Sequence, residues 1–331
     1  MWYNEISKDS DVVISSRVRF ARNIDGFKFP HIMNELEYAQ VMDIVNKSIN
    51  KNQYTLFKMK DIDEITQLSL FEQHVISKEH IANNAGAIVT NEDNTIVTMV
   101  NEEDHLRIQA FESGMNLESC YKKISEFTND LNKKIKFAIN DKYGYITACP
   151  TNIGSGMRVS VLLHLPAIYK VGLISSLFNQ ITSIGISIRG LYGENTSAQG
   201  YMYQLSNQKT LGISDVDIIS NMEIIITSVV EQERKARELL QKTNIELEDD
   251  IFRAYATLKN ARIMNDEEAR ILLSKVRLGC AMDLIKDVEL KKVQSLMVDI
   301  EPNTLKLILK ENVSKDEEHV KRANYLRKEF C

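Results

Sequence analysis

The chain has 331 residues, 44% of them hydrophobic and 26% charged, with a net charge of −5. This is ordinary for a globular protein and long enough for one large domain plus a smaller one. The acidic balance argues against a general nucleic-acid binder, because phosphate affinity needs a basic surface. Met1-Trp2-Tyr3-Asn4-Glu5 shows no basic segment ahead of an apolar one, so no signal peptide is expected. Apolar runs such as Ile224 to Val230 fall short of the roughly 20 residues a membrane helix needs. The four cysteines, Cys120, Cys149, Cys280 and Cys331, have no paired spacing, which argues against a disulfide framework or a cysteine zinc site and for the reducing cytoplasm.

Val12 to Phe20 predicts a strand that carries Ser15-Ser16-Arg17-Val18-Arg19. Asn34 to Lys51 has the spacing of a helix with Asn34 as its N-cap, and Lys60 to Glu72 a second one. His74 and His80 follow without any HExxH-like spacing that would mark metal ligands. Ala87 to Thr90 and Thr95 to Val100, separated by Asn91-Glu92-Asp93-Asn94, predict a hairpin. The second of these strands delivers Asn101-Glu102-Glu103-Asp104-His105-Leu106-Arg107, three carboxylates and an arginine at a strand end.

Leu117 to Ile135 reads as an amphipathic helix, and Phe137 to Ile139 with Tyr145 to Ala148 as another hairpin. Cys149 to Arg158 holds Pro150, Gly154 and Gly156, a loop whose backbone can approach a ligand, although it is no Walker A motif. Val159 to Leu165 predicts a strand, Pro166 a helix start, and Ala167 to Ile181 one helix. Ile184 to Ile188 is a predicted strand running into Arg189-Gly190-Leu191-Tyr192-Gly193-Glu194, and Gly200 to Leu205 is another. Ser214 caps a helical region. After Gly212 the chain holds a single glycine, Gly279, and a single proline, Pro302, so the remainder is expected to be helical with short turns.

Four segments in this order, Ser15 to Arg19, Asn101 to Arg107, Cys149 to Arg158 and Arg189 to Glu194, resemble the phosphagen (ATP:guanido) kinase family. The resemblance implies an α+β fold: a catalytic domain of antiparallel sheet flanked by helices over residues 1–236, then an all-α C-terminal domain over 237–331. The family's small-metabolite kinases carry a helical domain ahead of the SxRxR segment, which here begins at Ser15. Together with Leu162-Leu163-His164-Leu165-Pro166 and the C-terminal helices, this resembles the bacterial branch that phosphorylates arginine in proteins. Carried over by position, Glu103 and Glu194 would hold the substrate guanidinium. Arg17, Arg19, Arg107, Arg158 and Arg189 would contact ATP phosphates, within the nucleotide-contact stretches Ser15 to Arg19 (with Ser16 and Val18), Arg158 to Leu162 (Val159, Ser160, Val161) and Arg189 to Gly193 (Gly190, Leu191, Tyr192). His74 would sit by the nucleotide and Cys149 on the substrate side, oxidation-sensitive but not a covalent nucleophile.

The chemistry suits these residues. A guanidinium keeps its proton, with a pKa above roughly 12, so a kinase for arginine must orient one nitrogen and accept a proton as the N–P bond forms. Two carboxylates can grip the planar fork, with Glu103 as the base and Glu194 completing the clamp from a glycine-flanked loop. Five arginines with Mg²⁺, held mainly by nucleotide oxygens, would neutralise the phosphates, and Asp104 or Glu102 could orient a water on that ion. The resemblance further implies a homodimer in the stress response, protein substrates marked for degradation, a zinc-binding activator protein, a heat-shock repressor as substrate, and the Clp protease machinery. The branch's C-terminal Arg-Asp-x-x-Arg-Ala motif is matched at Glu318-His319-Val320-Lys321-Arg322-Ala323 only in Arg322 and Ala323. The alternatives are a free-arginine phosphagen kinase, told apart by turnover of free arginine, and a catalytically inactive ATP-binding adaptor, told apart by binding without transfer.

Overall fold

The computed structural model describes residues 2–190, 199–243, 245–311 and 313–331. Among these residues the strands are β1 (Val13–Arg22), β2 (Thr55–Lys58), β3 (Ala87–Thr90), β4 (Ile96–Val100), β5 (Leu106–Ser113), β6 (Ile139–Asn140), β7 (Gly144–Tyr145), β8 (Met157–His164), β9 (Ile186–Gly190) and β10 (Met202–Asn207). β6 and β7 form a small hairpin, and the other eight form one sheet in the order β2-β3-β4-β5-β1-β8-β10-β9. Every pairing in it is antiparallel.

The helices are α1 (Glu35–Ser48), α2 (Glu64–Glu72), α3 (Leu117–Asn132), α4 (Pro166–Lys170), α5 (Ile174–Ser183), α6 (Asp215–Thr243), α7 (Ile245–Asn260), α8 (Asp266–Ala281), α9 (Leu290–Asp299), α10 (Pro302–Leu309) and α11 (Lys315–Phe330). Asn34 caps α1 as expected, in a reciprocal box with Glu37. The sheet is thus antiparallel and helix-flanked, and the chain ends in a helical region, the α+β arrangement the sequence implied.

Side chains alternate across a strand, so each strand has one partner face and one opposite face. Val18 and Phe20 of β1, Ile108 and Ala110 of β5, and Val159, Val161 and Leu163 of β8 share one face. They pack with Val45 of α1, Ile124 of α3, Leu177 of α5 and Met222 of α6 in the main core. The other face of the same strands carries Arg17, Arg19, Arg107, Gln109, Arg158 and Ser160, flanked by a smaller apolar cluster that includes Ile14, Met99, Phe111 and Leu162.

Three expectations change. β5 runs from the end of the Asn101 to Arg107 cluster towards α3, where the sequence pattern predicts no strand; its apolar Leu106, Ile108 and Ala110 alternate with a partly exposed Arg107 and a buried Gln109. The single helix expected over Ala167 to Ile181 is two, α4 and α5, because Gly172 takes a φ of +77° between them. The hairpin expected over Phe137 to Ala148 forms a ladder at β6 and β7 and a further bond from the Ile146 amide to the Ala138 carbonyl (3.1 Å), while Phe137 bridges Ile24.

α6 runs without interruption through residues 236 and 237, starting on the sheet and ending among the C-terminal helices. The junction is polar and buried. Arg277 of α8 is fully buried and donates to the carbonyls of Ser10 (2.6 Å) and Asp11 (3.0 Å), just ahead of β1. It also donates to His164 Nδ1 (2.9 Å), since a guanidinium cannot accept. The His164 proton therefore sits on Nε2 and is donated to Ser274 Oγ (2.8 Å), which donates in turn to the Gly200 carbonyl (2.9 Å).

Nearby, buried Glu233 of α6 accepts from the amides of Ala167 (3.1 Å) and Ile168 (2.9 Å), at the start of α4, and from Arg237 Nε (2.9 Å). Removing one partner of a buried pair strands the other. Glu233→Ala is therefore expected to lower the unfolding free energy by about 3–5 kcal/mol, and Glu233→Gln, which keeps one acceptor oxygen, by less. Urea denaturation measures both, and an Ala variant as stable as the parent would contradict this account of the junction.

Candidate active site

Antiparallel register brings the arginines together. On β1, Arg19 lies opposite Arg158 of β8 on one side and Gln109 of β5 on the other, and Arg17 lies opposite Ser160 and Phe111. Arg107 of β5 pairs with Ala21, and Arg189 of β9 with Gln204 of β10. All five arginines border a cavity of about 460 Å³ whose far wall is His74, Ile76, Ser77 and Met99 and whose floor includes Gln109, Gln204 and Ser206. A second cavity, about 260 Å³, adjoins it and is bordered by Glu103, Asp104, Cys149, Thr151 and Asn152. Arg19, Arg107, Arg158 and Arg189 border both. Four cations therefore stand between a larger chamber and a smaller one that holds a carboxylate.

The arginines are held by side chains that the alternation puts beside them. Arg17 donates from Nε to Ser160 Oγ (3.1 Å) and from a terminal nitrogen to Gln204 Oε1 (3.2 Å). Arg107 donates to Glu102 Oε1 (2.5 Å), which also accepts from Ser77 Oγ (2.6 Å). Among the described residues, the buried Nε of Arg158 has no hydrogen-bond partner, the kind of donor an anion satisfies. Burial, then Arg107 and Arg158, push the Arg17 pKa down to about 10. Burial and the same neighbours push Arg19 well down, and burial with Arg189 lowers Arg158. His74 is pushed down to about 4 by burial and by Arg17, so it is neutral at pH 7.

The carboxylate loop is tightly wound. Asn101 takes a φ of +60°, and its amide donates to the His105 carbonyl (2.9 Å). Its side chain donates to the carbonyls of Tyr38 and Ala85 (3.2 Å each). His105 accepts at Nδ1 from the Ile24 amide (3.0 Å), so its Nε2 carries the proton and donates to the Lys28 carbonyl (2.8 Å), a structural role. Asp104 accepts from Asn23 Nδ2 (2.6 Å) and from the Ala148 amide (2.7 Å), tying this loop to the one that begins at Cys149. Glu103 alone of the three carboxylates projects to solvent. Burial, then Asp104 and Glu102, raise its pKa above the usual carboxylate value.

About half of the residues given a site role in the sequence converge here. Arg17, Arg19, His74, Arg107, Arg158, Arg189 and Gly190 line the larger cavity, and Glu103 and Cys149 the smaller. Ser160 borders neither but accepts from Arg17. Val18, Val159 and Val161 turn to the helix-covered face, as alternation requires, and pack in the core instead. Ser16 donates to the Gly114 carbonyl (2.7 Å), Leu162 joins the apolar cluster beside the arginines, and Ser15 borders neither cavity. Leu191, Tyr192, Gly193 and Glu194 lie outside the described residues. Asp104 accepts protein donors at Oδ1, and Glu102 accepts Arg107 and Ser77 at Oε1. The sequence reading missed Gln109, Gln204 and Ser206; the signal was there, as polar residues at every second position of otherwise apolar strands.

The ATP:guanido phosphotransferase C-terminal catalytic domain family matches residues 36–236, and the protein-arginine kinase C-terminal domain family matches residues 244–331. The chain is 41% identical over 333 residues to a protein-arginine kinase of Clostridium acetobutylicum, covering 98% of each chain. It is 36% identical to one from Clostridium tetani, covering 99% of this chain and 98% of that one. Among solved structures, the duplicated taurocyamine kinase of Schistosoma mansoni with bound transition-state-analogue components superposes with a TM-score of 0.62 at 28% identity. That match covers 70% of this chain and 35% of the other. With the arginine-lined double cavity on an antiparallel sheet and a helical C-terminal region, the chain belongs to the ATP:guanido phosphotransferase family, on its protein-arginine kinase branch.

Proposed function

We propose that this protein transfers the γ-phosphoryl group of ATP to the guanidinium of arginine residues in proteins. The observation that carries the reading is the four-arginine wall shared by two cavities, with Glu103 on the far side. The triphosphate lies in the larger cavity and the target guanidinium enters the smaller. The terminal phosphoryl sits between them, where cations serve both its ground state and its transfer.

Two carboxylates, Glu103 and Glu194, grip two edges of the guanidinium and align the reacting nitrogen. As the N–P bond forms, the bond between the γ-phosphorus and its bridging oxygen breaks and ADP leaves. The nitrogen becomes acidic and its proton passes to the Glu103 carboxylate. Such alignment can supply about 7–11 kcal/mol of barrier lowering. Glu194 is proposed as the second arm of the clamp, and Cys149, half-buried with its Sγ 3.1 Å from Thr151 Oγ1, as part of the substrate-side wall.

Among the described residues no group of three His, Cys, Asp or Glu side chains could hold a metal ion. With Glu102 and Asp104 already engaged, the residues fit a Mg²⁺ carried in on the phosphates, which would add neutralising charge there. No described helix is long and apolar enough to cross a membrane. By family resemblance we extend the proposal to a cytoplasmic homodimer that marks proteins for degradation under stress. Its partners would then be a zinc-binding activator protein, a heat-shock repressor and the Clp protease machinery.

Incubation with ATP, Mg²⁺ and an unfolded basic protein should yield acid-labile phosphate on arginine, with free arginine a poor acceptor by comparison. Glu103→Gln should lower kcat by about 10²–10⁴-fold while nucleotide binding persists, and retention of full transfer would remove Glu103 from the mechanism. The base must be ionised in the free enzyme, and its pKa is raised. Activity should therefore rise with pH through a pKa above the roughly 4.3 of an ordinary glutamate. The acid limb of kcat/KM against pH reads this directly, and a limb at or below the ordinary value would contradict the assignment.

A further inference from the structure

One carboxylate joins the C-terminal helices to the wall of the larger cavity. Glu72, the last residue of α2, accepts from the Asn303 amide (3.0 Å), Asn303 Nδ2 (2.7 Å), the Thr304 amide (2.7 Å) and Thr304 Oγ1 (2.9 Å). These two amides open α10 and belong to the set a helix leaves without internal partners, where negative charge is favoured by the helix dipole. A second thread runs beside the first. Thr304 Oγ1 and Ser69 Oγ are 2.9 Å apart, and Ser69 Oγ accepts from Gln73 Nε2 (2.9 Å). Gln73 and Ser69 are both buried.

The segment held this way leads straight into the cavity. His74 follows with a φ of +59°. Its amide donates to the Phe71 carbonyl (2.8 Å), and that of Val75 to the Leu70 carbonyl (2.9 Å), a closing turn that usually carries glycine. A histidine there sets its Cβ against its own carbonyl, a strained conformation that persists only when its surroundings over-determine it. Three residues on, Ser77 donates to Glu102, the carboxylate that holds Arg107. Glu72 and the Gln73–Ser69–Thr304 thread fix the end of α2 on which this strained turn is built.

We infer that Glu72 is a positioning residue through which the C-terminal helices set His74 for nucleotide binding, an inference that rests on the larger cavity taking ATP. Glu72 does not touch the cavity itself. Its effect is transmitted by the turn, so nucleotide affinity depends on α10 being seated against α2.

Initial-rate kinetics on the full chain test this with Glu72→Ala, Glu72→Gln, His74→Ala and the Glu72→Ala/His74→Ala double variant. Glu72→Ala should raise KM for ATP about ten-fold, as loss of charge-assisted hydrogen bonds would. It should leave kcat within about two-fold and KM for the protein substrate unchanged. Glu72→Gln, which keeps one acceptor oxygen and serves if the Ala variant fails to fold, should show a smaller rise. In the His74→Ala background Glu72→Ala should add nothing to KM, because both act on one element.

Glu72 variants that lower the melting temperature but leave KM for ATP unchanged would overturn the coupling, as would effects that add fully to those of His74→Ala. If His74→Ala raises KM while the Glu72 variants do not, the coupling alone falls. If KM is unchanged in all of them, the assignment of the cavity to nucleotide falls with it.

Discussion

Repulsion between guanidinium groups is the constraint under which the rest of this molecule is built. Five arginines face one space, and each of Arg17, Arg19 and Arg158 is disfavoured in its charged form by burial and by the other arginines. Left to a flexible loop such groups would splay apart. Here three adjacent strands, β5, β1 and β8, carry four of them at positions fixed by backbone hydrogen bonds, and the apolar residues on the reverse of the same strands lock those strands to the helices. The core face holds the charged face in a conformation that Glu102, paired with Arg107, relieves in part and that a bound polyanion would relieve further. Stability is drawn from one side of the sheet and spent as readiness to bind on the other.

The carboxylate cluster shows how neighbours of one chemical type are given separate work. Glu102 is bonded to Arg107, Ser77 and the Glu103 amide. Asp104 faces inward to Asn23 and to the backbone ahead of Cys149. Glu103, between them, projects to solvent, and burial, then the charges of Asp104 and Glu102, raise its pKa. In the proposed role as proton acceptor for a guanidinium, that elevation would narrow the mismatch in basicity.

The arginines on β1, β5 and β8 were legible as a group because four short segments occur in a known order, and strand alternation then says which side chains share a face. That same alternation separates Arg17, Arg19 and Arg158 from Val18, Val159 and Val161, which a contiguous stretch of sequence cannot do. β5 escaped notice because Arg107 and Gln109 interrupt its apolar residues, and polar side chains on a strand buried on both faces look like a loop. The polar junctions were invisible for a different reason. Arg277 meets Ser10 and Asp11, and Glu72 meets Thr304, across more than two hundred residues. No local pattern announces a partner at that separation. Arg277 in particular reads as one more charge on a solvated helix, yet it is among the most completely buried side chains described.

The continuous α6 has a consequence for how the chain acquires its structure. Its first turns supply Ile218, Met222 and Ile226 to the sheet's core, and its last turns pack Ala236 and Leu240 within the same cluster that holds Leu247, Ile251 and Leu273 of the C-terminal helices. A helix propagates cooperatively once nucleated, so order on one side is passed along the rod to the other. The two halves should melt in a single transition. A fragment cut within α6 would leave the Ser10 and Asp11 carbonyls and His164 without their donor, as an aggregating intermediate rather than a smaller enzyme.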